Sequence, residues 1–159
     1  FVVFNLSHYD DVLLVRVHNY VPEERWSKRY DHIVNFEKML ADEGTTIIKL
    51  FLHISKGEQA KRLQSRLDDP TKNWKFNAGD LAESKHWDDY MSAYEDALNA
   101  TSKPWAPWYA IPADDKAYMR VAVARVLVAT LERLDPQYPK LSTPQRRELQ
   151  EGRRRLEKE

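Results

Sequence analysis

The fold is decided by residues 45–80, which read TTIIKLFLHISKGEQAKRLQSRLDDPTKNWKFNAGD. Residues 45–54 are rich in β-branched and aromatic side chains and predict a central strand. Ser55 and Glu58 then have the spacing of a capping box, which predicts a helix that ends near Asp68, before Pro70. Because arginine and lysine bind phosphate oxygens, a strand that leads into a basic helix and loop indicates an anion-binding region.

Short apolar strands alternate with helices on both sides of this stretch. Residues 1–4 and 108–111 predict two further short strands, and residues 9–17 fit either a helix or an extended piece. Helices are predicted at about 23–43 with Gly44 as C′ residue, at 80–100 after the N-cap Asn77, to 134 after the N-cap Asp114, and from Pro144 onward with Thr143 as N-cap. This order predicts an α/β fold with a parallel sheet and flanking helices, in which ligands bind at the carboxyl ends of the strands.

The composition excludes several classes of function. The 159 residues include no cysteine, which rules out disulfides and zinc–thiolate sites. The 25 basic and 25 acidic residues balance, so we expect no nucleic-acid and no membrane partner, although a local basic site is allowed. The sequence has no apolar run of about 18 residues and no visible signal peptide, which predicts a cytoplasmic protein.

The beginning of the chain is unusual, because Phe1 is not a methionine and lies inside an apolar run. We therefore expect the chain to be the C-terminal part of a longer protein. Its four glycines form no phosphate-cradling loop.

Two arginines on the predicted helix after residue 54 are candidates for phosphate binding. Arg62 and Arg66 are four residues apart and share a helix face, where each guanidinium can bind two phosphate oxygens. The alternative is that Arg62 pairs with Glu58 and that both arginines are solvated. In the following loop Lys75 adjoins Trp74, whose ring either stacks on a base or, as we expect, anchors the loop in the core.

Polar residues after the first predicted strand form a second candidate site. Asn5 and Asp10 have oxygen ligands that hold a magnesium ion directly or through water. The alternative interpretation is that Asn5 or Ser7 caps a helix. Spacing alone favours the capping interpretation.

The remaining cations fall into two groups. Arg16 lies inside an apolar run and needs an anionic or polar partner, whereas Lys28 and Arg29 on the next helix face either a polyanion or water. Residues 142–159 interleave arginines with glutamates. That pattern favours a solvated or oligomer-contacting helix over a nucleic-acid-binding module.

Four ordered blocks of the sequence resemble the polyphosphate kinase 2 family. They are KRYDHIVNFEKML at residues 28–40, IIKLFLHISKGEQAKRLQSRLDDPTKNWKF at 47–76, WDDYMSAYEDAL at 87–98 and APWYAIPADDK at 106–116. The resemblance implies a P-loop kinase fold akin to thymidylate kinase, with a helical lid at about residues 56–87. Residues 1–141 would form the C-terminal part of that kinase domain, and 142–159 a charged C-terminal helix.

The resemblance also implies an activity and its site. The family moves a terminal phosphoryl group between inorganic polyphosphate and a nucleoside mono- or diphosphate, such as AMP, ADP, GMP or GDP, with Mg²⁺. Residues 4–11 would be the Walker B region, with Asn5 and Asp10 as the catalytic, magnesium-binding positions. The phosphate, polyphosphate and nucleotide contacts would come from Arg16, Lys28, Arg29, Arg62, Arg66 and Lys75. Family members often form homo-oligomers, which the sequence leaves open here.

Three positions depart from the family pattern. Leu6 stands where the family normally has an arginine that contacts phosphate, and His8 stands where an aromatic residue is usual. Asp10 replaces a glutamate that is common in branches using both mono- and diphosphates. The P-loop would lie before Phe1, so the chain alone is expected to be inactive. The alternative, which Leu6 favours, is a degenerate, non-catalytic protein that binds polyphosphate or nucleotide.

Overall fold

The computed structural model describes residues 1–5 and 7–157. They form two compact units, Phe1–Val123 and Ala124–Glu159. Helices and a small parallel sheet follow one another along the first unit, which gives it the predicted α/β class. The division at residue 141 that the family resemblance implies stays a prediction. All candidate site residues lie in the first unit.

A two-stranded parallel sheet lies in the first unit. β1 (Lys49–His53) pairs with β2 (Trp108–Pro112) in a register that places the first residues of the strands opposite each other. The amide of Ala113 extends the pairing with a 2.7 Å hydrogen bond to the carbonyl of His53. The predicted parallel arrangement is confirmed for these two strands, although β1 begins later than the sequence pattern suggested.

The predicted strand at residues 1–4 is wrong in this structure. The four side chains are largely exposed, from 74% for Val2 to 98% for Phe1, and the backbone is not assigned to a strand. A strand needs a hydrogen-bonded neighbour, and β1 and β2 pair with each other instead. An apolar pattern predicts the tendency to form a strand but does not supply the neighbour.

Residues 9–17, which the sequence left open, form two short helical turns. A 3-10 turn at His8–Asp11 is followed by α1 (Leu14–Val17). The hydroxyl of Ser7 accepts a 3.3 Å hydrogen bond from the amide of Tyr9, which confirms capping by Ser7. The side chains that follow enter a common core made of Tyr9, Val12, Leu13, Ile33, Ala93 and Ala97.

The predicted helix at 23–43 is two helices. α2 (Glu23–Trp26) and α3 (Arg29–Asp42) are separated at Ser27 and Lys28. Gly44 follows α3 with a φ of 86°, in the left-handed region that helix ends use, so its predicted position after the helix is confirmed. The break places Lys28 and Arg29 at the beginning of a helix rather than in the middle of one.

Three helices connect β1 to β2, as parallel strands require a long crossover. α4 (Lys56–Asp68) has the predicted bounds. The predicted helix at 80–100 is α5 (Ala78–Glu83) and α6 (Trp87–Thr101), with a 3-10 turn at Ser84–His86 between them. The side chain of Asn77 caps α5 by accepting a 2.9 Å hydrogen bond from an amide of its first turn, as predicted.

Two helices complete the chain. α7 (Lys116–Leu134) begins in the first unit and ends in the second, and α8 (Thr143–Leu156) follows. The carboxylate of Asp115 accepts hydrogen bonds from the amides of Ala117 and Tyr118 at 2.7 and 2.9 Å, so the prediction of Asp114 as N-cap is wrong by one residue. Ser142 and Gln145 form a full capping box with hydrogen bonds of 3.4 and 2.8 Å, so the prediction of Thr143 as N-cap is wrong by one residue. None of the helices described is both long enough and apolar enough to cross a membrane.

Candidate functional site

The carboxyl ends of the two strands meet at one edge, where sequence analysis placed ligand binding. Arg62 of α4 reaches this edge and donates to the carbonyls of Ala113 and Asp114 at 2.7 and 3.2 Å. Its guanidinium also donates to Glu58, one turn earlier on α4, at 2.7 Å. The predicted Glu58–Arg62 pair is therefore confirmed. The Arg62 side chain is 31% exposed, but its three protein acceptors make it a clamp between α4 and the segment after β2.

Asp114 joins the same edge to the beginning of α4. Its carboxylate accepts a 2.7 Å hydrogen bond from the amide of Ser55, whose hydroxyl accepts a 3.1 Å bond from the amide of Glu58. The predicted capping box is thus half formed, because Asp114 satisfies the Ser55 amide in place of Glu58. The bond from that amide, followed by the Ser55 hydroxyl and the charge of Arg62, lowers the pKa of Asp114 below its ordinary 3.8.

The lowered pKa of Asp114 predicts a pH-dependent contribution to stability. The ionised carboxylate stabilises the folded state above its ordinary pKa of 3.8, and this contribution is lost as the pH falls through the lower folded-state value. We expect Asp114→Asn to be less stable than the wild type at about pH 7, with the difference shrinking as the pH falls below 3.8. Urea unfolding of both proteins across this range measures it. A difference that did not change with pH would contradict the prediction.

The second arginine of the predicted lid has a different setting. Arg66 pairs with the carboxylate of Asp80 on α5, and the two side chains are 34% and 41% exposed. The side-chain amide of Asn73 donates to the carbonyls of Arg66 and Leu67 at 2.8 and 2.9 Å, which closes the end of α4. Arg66 is therefore a surface cation with a carboxylate partner, for which water or phosphate can compete.

The loop between α4 and α5 exposes its aromatic and cationic groups. The ammonium nitrogen of Lys75 lies 4.9 Å from the centre of the Trp74 ring, and Trp74 is 78% exposed. The indole N–H of Trp74 donates to the carbonyl of Thr71 at 3.1 Å. The prediction that Trp74 anchors the loop in the core is therefore wrong, because these contacts hold the ring against its own loop at the surface.

The segment after residue 4 contains the two predicted magnesium ligands. Asn5 is exposed in a bend, and Asp10 is partly buried in the 3-10 turn. Burial, followed by the neighbouring Asp11 carboxylate, raises the pKa of Asp10 above its ordinary 3.8. A bound cation would stabilise the ionised form of such a partly buried carboxylate. Mg²⁺ commonly takes its remaining ligands from water and substrate phosphates. Across residues 1–5 and 7–157, no three acidic or histidine side chains converge on a metal site. Asn5 and Asp10 fit Mg²⁺, and their assignment stays a prediction.

Arg29 of α3 approaches this same segment. Its guanidinium donates to the backbone carbonyl and the carboxylate of Asp11 at 2.9 and 3.2 Å. A cleft of about 300 Å³ opens here and is lined by His8, Asp11, Arg29, His32, Ile33 and Phe36. The structure thus brings Arg29 to the segment that carries Asp10. Lys28 is exposed beside Arg29, and its role in phosphate binding stays a prediction. Leu6 lies outside the described residues, so its effect on activity also stays a prediction.

Arg16 has the partner that its place in an apolar run predicted. It donates to the carboxylate of Asp96 on α6 at 2.7 Å, and its guanidinium carbon lies 4.9 Å from the centre of the Trp26 ring. Weaker contacts at 3.5 and 3.4 Å reach Tyr30 and Ser92. These contacts tie α1 to α6, while the phosphate-binding role of Arg16 stays a prediction.

A buried polar cluster that the sequence did not predict lies at the amino end of the strands. The ammonium of Lys49 donates to the carboxylate of Glu37 at 2.6 Å and to the carbonyl of Thr101 at 2.9 Å. The hydroxyl of Tyr9 accepts from Lys49 at 3.0 Å and donates to Glu37 at 2.8 Å. Glu37 is 2% and Lys49 is 6% exposed. The signal was available, because the argument that singled out Arg16 applies to any charge inside an apolar pattern.

Burial controls the ionisation of this cluster. It lowers the pKa of Lys49 below the ordinary 10.5, and the adjacent Glu37 carboxylate opposes that shift. Burial also raises the pKa of Tyr9, which keeps its hydroxyl protonated and able to donate. Among the described residues, every buried side-chain nitrogen and oxygen has a hydrogen-bond partner, as a charged pair in a core requires.

Comparison with known proteins identifies the family. The sequence model of the family described as Polyphosphate kinase 2 (PPK2) matches residues 1–139. An AMP/ADP-polyphosphate phosphotransferase from Meiothermus ruber is 58% identical over 142 residues, which cover 89% of this chain and 53% of the relative. An ADP-polyphosphate phosphotransferase from Rhodopseudomonas palustris is 46% identical over 166 residues, covering 97% of this chain and 57% of the relative.

The fold matches a solved member of the same family. The crystal structure of Polyphosphate Kinase 2 from Arthrobacter aurescens TC1 superposes with a TM-score of 0.83 and 47% identity, over 90% of this chain and 51% of that one. The chain therefore spans about half the length of the relatives that it matches. Since the family model covers most of the sequence and the fold agrees, the chain belongs to the polyphosphate kinase 2 family.

Proposed function

We propose that the protein containing this chain is a polyphosphate-dependent nucleotide kinase. It transfers a phosphoryl group between inorganic polyphosphate and a nucleoside mono- or diphosphate. The observation that carries the proposal is the 58% identity to a relative named AMP/ADP-polyphosphate phosphotransferase. That name favours AMP and ADP over GMP and GDP as the nucleotides. The relatives named as phosphotransferases give no support to the alternative of a non-catalytic binding protein.

The proposed fold is that of a P-loop kinase akin to thymidylate kinase. The proposed location of the protein is the cytoplasm. Parallel β1 and β2 support it, since such kinases bind phosphate at the carboxyl ends of a parallel sheet. The four glycines of these 159 residues form no phosphate loop, so we place that loop in another part of the catalytic domain. Its absence here is the reason to expect no turnover from the chain alone.

The chemistry requires alignment and positive charge more than covalent participation. In phosphoryl transfer the protein holds donor and acceptor in line and neutralises the charge on the transferred group. Mg²⁺ bound near Asn5 and Asp10 would supply part of that neutralisation. Arg29, held by Asp11 beside this segment, is placed to contribute a further positive charge.

The polyphosphate substrate suits the cations of the lid. Polyphosphate carries about one negative charge per unit, so a track of arginine and lysine attracts and guides it. Arg66 and Lys75 are accessible in the predicted lid, and Lys28 is exposed at the start of α3. A lid that closes over the phosphates also excludes water and limits hydrolysis.

The test is a coupled assay of the full-length protein. With polyphosphate, Mg²⁺ and ADP or AMP, we expect formation of ATP or ADP that disappears when polyphosphate is omitted. Replacing the adenine nucleotides by GDP or GMP measures the base preference. Retained polyphosphate binding without any nucleotide turnover would overturn the kinase proposal and select the non-catalytic alternative.

A further inference from the structure

We propose that Tyr9, Glu37 and Lys49 form a positioning device that holds the turn His8–Asp11, and with it Asp10, in the geometry needed for phosphoryl transfer. The catalytic part of this inference rests on the proposed kinase function. The contacts themselves do not depend on it. Tyr9, Glu37 and Lys49 are positioning residues, since they act through the neighbouring turn.

Tyr9 is the anchor of the turn. It is 5% exposed, whereas His8 and Asp11 are exposed and Asp10 is partly buried. Its hydroxyl is fixed in both of its roles, because it donates to Glu37 at 2.8 Å and accepts from Lys49 at 3.0 Å. A hydroxyl engaged as donor and acceptor has a defined direction, so the backbone that carries Asp10 is fixed with it.

The charged pair ties that anchor to several elements at once. Glu37 lies on α3, Lys49 begins β1, and Lys49 also donates to the carbonyl of Thr101 at the end of α6, at 2.9 Å. The ring of Trp108, the first residue of β2, meets the Tyr9 ring edge to face at 4.9 Å. The turn is therefore located against both strands and two helices.

The buried charges point to geometry rather than stability. Apolar residues of similar volume usually stabilise a core as well as a buried ion pair does, or better. A lysine and a glutamate that are both almost fully buried are therefore poorly explained by stability. Their hydrogen bonds do fix the direction of one hydroxyl group, which an apolar core would leave free.

A second contact from α3 holds the other side of Asp10. Arg29, two turns before Glu37 on α3, donates to the backbone carbonyl and the carboxylate of Asp11. α3 thus contacts the turn directly before and directly after Asp10, through Tyr9 and Asp11. This double attachment fixes the backbone on both sides of Asp10 relative to α3.

The experiment is Tyr9→Phe in the full-length protein, which removes the hydroxyl and keeps the ring. We expect kcat to fall about 10- to 100-fold, the range for a misplaced catalytic group, with KM for the nucleotide within about twofold of wild type. Hydrogen exchange provides a readout that does not need activity. The amides of Val12 and Leu13 donate to the carbonyl of Tyr9 at 3.0 and 3.1 Å. Their hydrogen exchange should be several-fold faster in Tyr9→Phe than in the wild type, because the turn opens more often.

Two variants separate positioning from loss of stability. Thr130→Val on α7 removes another buried hydroxyl, which donates to the carbonyl of Val126 at 2.8 Å, and should lower Tm without changing kcat or exchange at Val12 and Leu13. The double variant Glu37→Gln with Lys49→Met removes both charges at nearly constant volume, so its Tm should stay close to that of the wild type. Because the Tyr9 hydroxyl loses its donor Lys49, kcat should still fall several-fold, and a wild-type kcat in this variant would overturn the inference.

Each outcome is decisive. An unchanged kcat in Tyr9→Phe, with an active wild type, would overturn the inference, and so would an equal loss of kcat in Thr130→Val. Unchanged hydrogen exchange at the turn would overturn it independently of catalysis. An inactive wild-type protein would instead overturn the proposed function and with it the catalytic part of the inference, whereas the exchange result would still decide whether Tyr9 holds the turn.

Discussion

Replacing Lys49 by methionine alone is expected to lower the free energy of unfolding by about 3–5 kcal/mol, because it leaves a buried carboxylate without its charge partner. Glu37 is 2% exposed and accepts hydrogen bonds from Lys49 at 2.6 Å and Tyr9 at 2.8 Å. Methionine is unbranched and only one atom shorter than lysine, so little of the loss comes from a cavity. For a chain of this size the expected fall in Tm is roughly 10 °C.

The matched variant is the neutral pair. Glu37→Gln combined with Lys49→Met removes both charges at nearly constant volume, and we expect it to lie within about 1–2 kcal/mol of the wild type. Urea unfolding of the wild type, both single variants and the double variant gives the coupling energy between the two positions. If the double variant were as unstable as Lys49→Met, packing and not charge would be the cause, and the prediction would fail.

The sheet was predictable because its signals are local. Residues 47–54 and 108–111 are apolar and β-rich, and Ser55 and Pro112 mark where they end. The bounds of the helices were less predictable, because nothing in the apolar spacing of residues 23–43 marks the break at Ser27. The strand expected at residues 1–4 depended on a neighbouring strand, and pairing is a long-range property that a local pattern does not contain.

The partners of the candidate site residues were even less predictable, because most of them are distant in the sequence. From the sequence, Arg62 and Arg66 share one face of α4, and only Arg62 has a local carboxylate partner, Glu58. The carbonyls after β2 that bind Arg62 and the Asp80 carboxylate that pairs with Arg66 are not visible in the local spacing. The buried cluster joins residues that are 12 to 52 positions apart, so each charge was readable alone but their convergence was not.

Replacing Arg66 by glutamine is expected to lower kcat/KM with polyphosphate by roughly 10- to 150-fold, the value of one lost charge-assisted hydrogen bond of about 1.5–3 kcal/mol. Stability should change little, because Arg66 and Asp80 form a partly exposed pair, with side chains 34% and 41% accessible. In the proposed function, Arg66 would exchange this carboxylate for phosphate without disturbing the sheet. Initial rates of the full-length protein with polyphosphate and ADP, together with Tm, measure both effects.

Arg62→Gln is the matched variant, and the structure predicts the opposite result for it. Arg62 donates to two carbonyls after β2 and to Glu58, so its loss should destabilise the fold by about 1–3 kcal/mol. To bind phosphate, Arg62 would first have to release these contacts, whereas Arg66 has only a surface carboxylate to leave. At temperatures well below Tm we therefore expect a smaller kinetic loss in Arg62→Gln than in Arg66→Gln. If Arg66→Gln kept wild-type kcat/KM while Arg62→Gln lost most of its activity without loss of stability, the assignment would have to be reversed, with Arg62 as the lid's phosphate ligand.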